Sequence, residues 1–505
     1  MLPGQFLRFI VEKPFGDSLA SAQALLRQVL PTEDSGESRR LQYADEVLLV
    51  DHYLGKAPLQ AFVRFRQCAG GALAAGLSAA SNASWRVTAA HISMQEQDEV
   101  GSRLGFYTPL GVVRDVVQSH GSQLLASALA PVQLASPPPN TTQAAVGAAA
   151  QIGLTSATKH TAESFALPSV ADRLAVLRYL TAAGSGTTLS HAPAVAQGCF
   201  AHSTYAPGVK SEPNNAQQLP PNTGCAVQAA FGQYATLRTQ AKTAASTLDI
   251  SQATLAKAST TATSVHVAFR LHTGGSPPIN VSLSAGKALD SKVTAVRLGV
   301  TDDSGSSGHV TVILAGSVEA PAGMPKTSPI HGPAIILQGP LQPIDAIPAG
   351  WTVAWTCQAE IGCTAPQAAN APPLDGPQHG FKQCSASSHM RIAVGETVLL
   401  LPSLASTHLS APVVAPPQSR ASPAEAVRGA FEAYLQQHAG DVMAAGTGSL
   451  GGMQAYATVL AAGLAGRSQW FVSPRDEAIQ QWRLWQPIAE ASEAVDFWAA
   501  KGDAS

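Results

Sequence analysis

Short apolar runs mark the beginning of the chain. The run FLRFIVE at residues 6–12 is followed by a proline and a glycine, a pattern that predicts a buried strand ending in a turn. A second run, VLLV, occupies residues 47–50. Between the two runs, Asp17 or Ser18 can cap a helix whose apolar residues recur at helical spacing. The start of the chain therefore predicts a strand, a helix and a second strand.

Helical and strand patterns then alternate along the chain. Apolar residues recur at helical spacing from Leu59 to Arg66, from Val112 to Leu129 and from Ala171 to Tyr179. The segment from Trp85 to Glu96 alternates between apolar and polar residues as a strand does. A last amphipathic helix is expected from about Pro474 to Ala499.

Strand patterns rich in Val, Thr and Ile dominate the second half of the chain. They lie at residues 259–272, 279–289 and 294–300 and in the runs VTVILAG, AIILQG, WTVAWTC and RIAVGETVLLL. We therefore predict an α+β fold in which a large, mainly antiparallel β-sheet with helices makes up most of the chain. Low-complexity or Pro-, Gly- and Ala-rich composition predicts insertions at about 136–151, 207–258, 411–424 and 439–466.

The charge balance and apolar content argue against two classes of partner. The chain has 31 Lys and Arg against 33 Asp and Glu, so neither nucleic acid nor an anionic membrane is expected. It has no run of about 18 apolar residues, and its opening does not have the form of a signal peptide. The six cysteines are scattered, which favours reduced intracellular thiols, although Cys357 and Cys363 are close enough to pair across a loop. We expect a cytoplasmic protein without a membrane span.

The stretch DHYLGK combines an acid, an imidazole, a phenol and an ammonium group in a chain that is only 13% charged. His52, Tyr53 and Lys56 suit a dianionic phosphate because they offer donors and positive charge. Asp51 would repel a phosphate, so its simplest role is to orient a histidine. A solvated loop of ordinary polar residues would carry the same composition, and this alternative stays open.

Two further residues could belong to the same site. Lys13 follows the first strand and precedes a proline, where its ammonium group could bind a sugar hydroxyl and a proton relay. His120 lies on an otherwise apolar helix face and could act as a general base whose tautomer is held by Asp51. An ordinary surface lysine and a core histidine with a satisfied ring are the respective alternatives.

Two other motifs are weaker. Lys287 follows a predicted strand in AGKAL and could be a second lysine facing phosphate, or an exposed residue at the end of a strand. The segment GTGSLGG, residues 446–452, matches the glycine pattern of dinucleotide-binding proteins. No predicted strand precedes it, and that pattern requires a strand, a turn and a helix together, so we interpret it as a flexible loop.

Six motifs, taken in their order along the chain, resemble the glucose-6-phosphate dehydrogenase family. They are VEKPFG, DHYLGK, GVVRDVVQSH, STTAT, AGKAL and WFVSPRDEAIQQWRLWQPI. The resemblance runs from residue 6 to about residue 490. It implies oxidation of D-glucose 6-phosphate at C1 to 6-phosphogluconolactone with NADP, the first step of the oxidative pentose phosphate pathway. It also implies a homodimer or homotetramer. Residues 1–50 would be the remnant of an NADP-binding, Rossmann-type α/β domain, and residues 51–505 the substrate-binding and dimerisation domain.

The resemblance assigns roles to individual residues. Asp51 and His120 would form the catalytic pair, with His120 as the base that takes the proton of the C1 hydroxyl. The substrate-binding residues would be Lys13, His52, Tyr53, Lys56, Glu96, Asp115, Lys287 and Lys292. The coenzyme contacts would be Lys13 and Pro14, beside the nicotinamide, and Arg297, at a second NADP site found in some members. No metal ion is implied.

The chain also departs from the family pattern. The glycine-rich GxxGDLA turn that binds the dinucleotide is absent, so we expect that the chain is truncated at its N-terminus and lacks most of the coenzyme domain. Leu49 stands where the family usually has an arginine, and Ala57 stands where it usually has an acidic residue. Lys292 stands where many members have an arginine. The alternative is a catalytically inactive relative or fragment that binds sugar phosphate or a complete subunit. A plastid is the alternative compartment, because a missing front end would also remove a targeting peptide.

Overall fold

The computed structural model describes most of the predicted elements of the chain. The described residues are 8–30, 47–69, 71–76, 85–132, 167–183, 198–206, 227–247, 249–271, 278–321, 329–344, 351–358, 362–364, 390–392, 394, 396–402, 455–456, 458–460, 462–463, 467–494 and 496–499. The predicted insertions at 136–151 and 411–424 lie outside the described residues, as do residues 207–226 and 439–454 of the other two.

The first described elements form a strand–helix–strand unit. Strand β1, Phe9–Glu12, pairs in parallel with β2, Val47–Val50, and helix α1, Leu19–Val29, lies between them in sequence. Ser18 is the N-cap residue of α1, and it and Ser21 each accept a hydrogen bond from the other's backbone N–H. This reciprocal cap satisfies donors that the first turn of a helix leaves free. The predicted order of elements is confirmed, and it is that of a Rossmann-type α/β unit.

The two strands of this unit differ in burial. All four residues of β2 are buried, whereas Phe9 is 52% exposed and Ile10 is 39% exposed. The expectation of a buried first strand is therefore wrong at Phe9 and Ile10. The physical reason is that, among the described residues, β1 has β2 as its only paired neighbour.

The remaining strands lie mostly in the second half of the chain. They are β3 Trp85–Gln95, β4 Gly198–Tyr205, β5 Val227–Tyr234, β6 Ser264–Leu271, β7 Ile279–Gly286, β8 Val293–Asp302, β9 Ser307–Val318, β10 Ile330–His331, β11 Ala334–Gln338, β12 Leu341–Ile344, β13 Trp351–Gln358, β14 Gly362–Thr364, β15 Met390–Ile392 and β16 Thr397–Pro402. Every segment predicted as a strand from the alternation of the sequence contains one or more of them.

Within the described residues, twelve of these strands form one sheet. Its order is β14-β13-β16-β11-β9-β8-β3-β7-β6-β5-β4, and β10 pairs with β9 at one end of that strand. The pairs β3–β7 and β4–β5 are parallel and the other neighbours in this order are antiparallel. The α+β fold with a large, mainly antiparallel sheet is confirmed.

Several helices pack against this sheet. The described helices that follow α1 are α2 Ala57–Ala69, α3 Gly71–Ala75, α4 Leu104–Tyr107, α5 Ser122–Leu129, α6 Val170–Ala183, α7 Leu237–Ser246, α8 Gln252–Ala258 and α9 Glu477–Glu493. A π-helical segment, Val113–Gly121, leads directly into α5. The α5 helix contacts β3 and β8 of the sheet on one side and α6 on the other, and α9 packs on α6 and the π-helical segment. One apolar core extends from the sheet into these helices.

Part of the stretch that we expected to be an insertion, residues 207–258, has a defined place in the fold. Strand β5 pairs with β4 on one side and with β6 on the other, and helices α7 and α8 follow it. Tyr234, Leu237 and Ala241 belong to a second small apolar core. The composition did not predict these elements because the stretch is rich in Gln, Ala and Thr. It has few large apolar residues whose spacing could indicate a helix or a strand.

Helix α6 is joined to α9 by a buried ion pair. The guanidinium of Arg173 donates to both carboxylate oxygens of Glu477, at 2.9 and 3.1 Å, and neither residue is exposed. Three backbone carbonyls accept the other guanidinium hydrogen bonds, and they belong to Pro168, Gln469 and Phe471.

Among the described residues, no helix is both long and apolar enough to cross a membrane.

We predict that Glu477→Gln lowers the free energy of unfolding by about 3–5 kcal/mol, since it leaves the Arg173 charge buried without its partner. The measurement is the midpoint of urea denaturation followed by circular dichroism. The control is Asp476→Asn, which removes an exposed pair with Arg178 at 3.4 Å and should cost less than about 1 kcal/mol. Equal effects of the two substitutions would contradict the prediction.

Candidate active site

The stretch DHYLGK begins where β2 ends. Asp51 follows the strand, and its Oδ1 atom accepts a hydrogen bond from the backbone N–H of Tyr53 at 2.9 Å. This bond caps a short 3₁₀ turn, His52–Gly55, which turns the chain sharply into α2. The predicted change from strand to turn at Asp51 is confirmed, and the cap explains why an acid is suited to this position.

His120 lies near the end of the π-helical segment and faces Asp51. Its Nδ1 atom is 2.7 Å from Asp51 Oδ1, and both residues are buried. The segment is held in place by Trp485, whose indole N–H donates to Ser122 at 2.6 Å, and by the close approach of Gly121 to Leu283 on β7. The contact that the sequence predicted between residues 51 and 120 is present.

The protonation of this pair follows from its surroundings. Burial raises the pKa of Asp51, but His120, His52 and Lys13 outweigh burial and hold that pKa below its ordinary value. An ionised carboxylate only accepts hydrogen bonds, so Nδ1 of His120 must carry the donated proton. Burial also lowers the pKa of His120, and Asp51 offsets only part of that effect. At neutral pH the ring is therefore neutral, with its lone pair on Nε2.

Aromatic rings surround the pair. The ring of Tyr53 stacks on His120 at a centroid distance of 4.2 Å, and His52 meets His120 edge-on at 4.7 Å. Tyr456, from a segment more than four hundred residues away in the sequence, stacks on His52 at a centroid distance of 5.3 Å. His52 Nδ1 and Asp51 Oδ2 are buried polar atoms that lack hydrogen-bond partners in the described part of the structure.

Lys56 adds a cation at the rim of this cluster. Its Nζ lies 3.4 Å from the centroid of the Tyr53 ring, and burial lowers the pKa of Lys56 to about 8. Lys292, which is exposed between β7 and β8, is close enough to lower that pKa further. Burial raises the pKa of Tyr53 to about 12, so its phenol remains a hydrogen-bond donor at neutral pH.

Lys13 is anchored beside the π-helical segment. Its Nζ donates to the backbone carbonyl of Asp115 at 2.6 Å and lies 3.9 Å from the carboxylate of the same residue. Arg103 lies 3.8 Å from that carboxylate as well. Burial lowers the pKa of Lys13, and the acids Asp115 and Asp51 oppose the shift. Lys13 is therefore a packed residue near the Asp51–His120 pair and not an ordinary surface lysine.

Glu96 and Lys287 come together because they follow paired strands. Gln95 at the end of β3 lies opposite Gly286 at the end of β7, so the next residues of these parallel strands are neighbours. Lys287 Nζ is 2.5 Å from Glu96 Oε2, and only 5% of Lys287 is exposed. The alternative of an exposed lysine at a strand end is therefore wrong.

Two of the predicted coenzyme contacts lie further out. Pro14 is exposed beyond the end of β1. Arg297 is exposed on β8. Burial lowers the pKa of His309, and the charge of Arg297 lowers it further. Arg297 thus lies on the face of the sheet with His309 and does not contact the Asp51–His120 pair in the described structure.

Asp51, His52 and His120 are also the one group in the described residues whose ligand atoms could hold a metal ion, since these atoms lie within 4.8 Å of one another. The cations of Lys13 and Lys56 are close enough to influence the pKa of His52. Their charge opposes a bound cation and favours a bound anion.

Sequence reasoning missed Glu12, Arg103 and Tyr456. Glu12 Oε1 accepts a hydrogen bond of 2.6 Å from the Tyr456 hydroxyl. A signal for Tyr456 was present in the sequence. The buried residues Ala455, Val459 and Ala462 have helical spacing, directly after the glycine-rich stretch that we interpreted as a loop.

Comparison with known proteins shows a similarity at the beginning of the chain. Residues 2–61 match the family model "Glucose-6-phosphate dehydrogenase, NAD binding domain". That class of dinucleotide-binding α/β domain agrees with the β1–α1–β2 unit. Relatives with similar sequences are themselves named glucose-6-phosphate 1-dehydrogenases, and over about a quarter of its length this chain is similar to them.

Two relatives illustrate the extent of the match. Glucose-6-phosphate 1-dehydrogenase 1 of Mycobacterium tuberculosis is 41% identical over 122 residues, which are 24% of this chain and 22% of the relative. Glucose-6-phosphate 1-dehydrogenase of Cyberlindnera jadinii is 33% identical over 121 residues, 23% of this chain and 21% of the relative. The match with this chain therefore spans about a fifth of the length of these relatives.

Solved structures are less similar in sequence, but their alignments cover more of this chain. Glucose-6-phosphate 1-dehydrogenase from Mycobacterium avium has a TM-score of 0.42 and 19% identity, with 96% of this chain and 64% of that chain covered. A glucose-6-phosphate dehydrogenase in complex with its substrate glucose 6-phosphate has a TM-score of 0.42 and 14% identity, with 95% and 62% covered. These scores are too low to establish a shared fold.

We predict that Asp51→Asn lowers the pKa of His120 further, because it removes the carboxylate that offsets part of the effect of burial. The measurement is an NMR titration of the histidine ring carbons in the wild type and the variant. Asp303→Asn, which alters an exposed residue paired with Arg86, is the control and should leave His120 unchanged. An unchanged or higher pKa in Asp51→Asn would refute the assigned protonation.

Proposed function

We propose that this chain carries the sugar-phosphate site of a glucose-6-phosphate dehydrogenase, which oxidises D-glucose 6-phosphate at C1 to 6-phosphogluconolactone with NADP. The observation that carries the proposal is the buried contact of 2.7 Å between Asp51 and His120, beside a cluster of phosphate-binding residue types. The similarity of the chain to glucose-6-phosphate dehydrogenases supports the same assignment.

His120 is the base of the proposed reaction. With its Nδ1 proton held by Asp51, the ring presents the lone pair of Nε2 to the C1 hydroxyl of the sugar and takes the proton from it. The ring then becomes an imidazolium, and the ionised Asp51 stabilises that charge at 2.7 Å. The low pKa of Asp51 keeps the carboxylate ionised throughout, so it orients His120 and does not itself receive the proton.

The 6-phosphate is bound at the other end of the cluster. Lys56 supplies positive charge, and the phenol of Tyr53 remains protonated as a donor. Burial lowers the pKa of His52 to about 3, so His52 acts as a neutral donor or acceptor and not as a cation. Lys292 and Lys287 extend this positive region.

The sugar hydroxyls lie between the phosphate-binding and proton-transfer ends in this proposal. Lys13 and Asp115, already in contact, provide a donor and an acceptor on the side of His120. Glu96 provides an acceptor near Lys287. These groups convert a general affinity for phosphate into recognition of a hexose phosphate, because each buried polar group requires a matching hydroxyl.

NADP, when bound, would accept the hydride that leaves C1. The described residues offer Lys13 and Pro14 near the nicotinamide end, but no cradle for the diphosphate. The N-terminus of α1 is closed by the reciprocal cap between Ser18 and Ser21, and Gln486 accepts the N–H of Leu19. The chain's own residues therefore support sugar-phosphate binding and proton transfer. NADP as acceptor, assembly as a homodimer or homotetramer and a cytoplasmic location stay predictions.

One second candidate function is binding without hydride transfer, since the described residues present the phosphate cluster but no diphosphate cradle. A relative that binds sugar phosphate without transferring hydride would keep the phosphate cluster and need no diphosphate cradle. Binding and turnover separate the two candidates. Glucose 6-phosphate that binds the purified chain without reduction of NADP or NAD favours the second, and turnover favours the first.

We predict that His120→Ala lowers kcat roughly 10²- to 10⁴-fold while the Kd for glucose 6-phosphate changes little, since the base acts on C1 and not on the phosphate. Absorbance of the reduced coenzyme gives kcat, and calorimetry gives Kd. His309→Ala, on the sheet face outside the cluster, should retain both values. Full activity in His120→Ala would exclude His120 as the base.

We predict that affinity for glucose 6-phosphate falls as the pH rises above about 8, because Lys56 then loses its charge. Lys56→Met should weaken binding by roughly 10- to 100-fold at pH 7 and abolish that decline. The measurement is calorimetric titration from pH 6.5 to 9.5, with Lys242→Met on α7 as the exposed control. If the affinity of Lys56→Met still declines above pH 8, the decline belongs to another titrating group.

A further inference from the structure

The described residues among 455–463 bring a distant part of the chain onto the two motifs VEKPFG and DHYLGK. The carbonyl of Ala455 and a methyl group of Val459 cover Gly55 so closely that a Cβ there would lie 2.3 and 2.7 Å from them. At the other end, the carbonyl of Gly463 accepts a hydrogen bond of 2.6 Å from Arg8, next to β1. The segment thus spans from the end of the DHYLGK turn to the first strand.

Tyr456 is the residue of this segment that reaches the site. Its ring stacks on His52 with a centroid distance of 5.3 Å and an angle of 25° between the planes. Its hydroxyl donates to Glu12 Oε1 at 2.6 Å. Glu12 directly precedes Lys13, so one side chain contacts residues of both VEKPFG and DHYLGK.

The ring of His52 depends on such packing for its orientation. Its Nδ1 atom is buried without a hydrogen-bond partner in the described structure. Three aromatic rings contact it instead: Tyr53 at 5.1 Å, His120 at 4.7 Å and Tyr456 at 5.3 Å. Tyr456 alone of these lies nearly parallel to the His52 ring, and it comes from outside the local turn and the π-helical segment.

We infer that Tyr456 is a positioning residue for the phosphate-binding end of the site: it holds the His52 ring in place by stacking, and its bond to Glu12 fixes the tyrosine. This inference rests on the proposed function, since it assigns His52 to the phosphate. Tyr456 contacts neither Asp51 nor the Nε2 atom of His120 in the described contacts, so its effect falls on binding and not on the proton-transfer step.

The two contacts of Tyr456 can be separated by substitution. Tyr456→Ala removes the ring and the hydroxyl, whereas Tyr456→Phe keeps the ring and loses only the bond to Glu12. An aromatic pair contributes enough that Tyr456→Ala should weaken glucose 6-phosphate binding roughly 3- to 10-fold, and Tyr456→Phe should recover most of that loss. The control is Leu460→Ala, which alters an exposed residue of the same segment.

The first test is calorimetry of these variants with glucose 6-phosphate and with glucose. The expected result is a higher Kd for glucose 6-phosphate in Tyr456→Ala, a value near wild type in Tyr456→Phe and Leu460→Ala, and an unchanged response to glucose. Where turnover is measurable, KM rises and kcat is retained. Equal weakening for glucose and its phosphate, or no weakening at all, would overturn the inference.

A second test does not depend on the ligand. The ring signals of His52, assigned by their loss in His52→Gln, should shift and broaden in Tyr456→Ala but not in Leu460→Ala. If the wild type fails to bind glucose 6-phosphate, the proposed function fails, and the His52 signals still decide whether Tyr456 orients the ring. Unchanged His52 signals in Tyr456→Ala would refute the positioning role in either case.

Discussion

The hydrogen bond between Asp51 and His120 is the interaction on which the site depends. It joins the end of a parallel strand to a π-helical segment that packs between the large sheet and α9. A carboxylate buried to this degree is costly unless it is paired, and His120, His52 and Lys13 supply the compensation. The same pairing decides the histidine tautomer, and hence which ring nitrogen faces a substrate.

The site is built from elements that are far apart in sequence. Paired strands β3 and β7 end side by side and bring Glu96 to Lys287, while the β1–α1–β2 unit supplies Lys13 and the DHYLGK turn. Helix α9 fixes the π-helical segment through Trp485. A phosphate-binding cluster and a proton-accepting histidine are therefore held by separate rigid elements, a placement that keeps their spacing fixed.

Local patterns predicted much of this arrangement. Periodicity found β1, β2, the large sheet and the helix that carries His120, because large apolar residues mark those periods. It did not find β5, α7 or α8, where the residues are small and polar, nor the exposure of Phe9, which depends on which strands adjoin β1. Tyr456 was missed because it stacks on a residue more than four hundred positions away, and such a contact produces no local sequence pattern. The nearest local signal is the helical spacing of a few buried residues around Tyr456.

The most direct test of the account follows both ends of the site at once. Glucose 6-phosphate is titrated into the chain with labelled histidines, and the ring signals of His52 and His120 are recorded by NMR. Both histidines are expected to respond along one saturation curve, since one ligand places its phosphate at His52 and its C1 hydroxyl at His120. A response of His52 alone, or of neither histidine, would contradict this expectation.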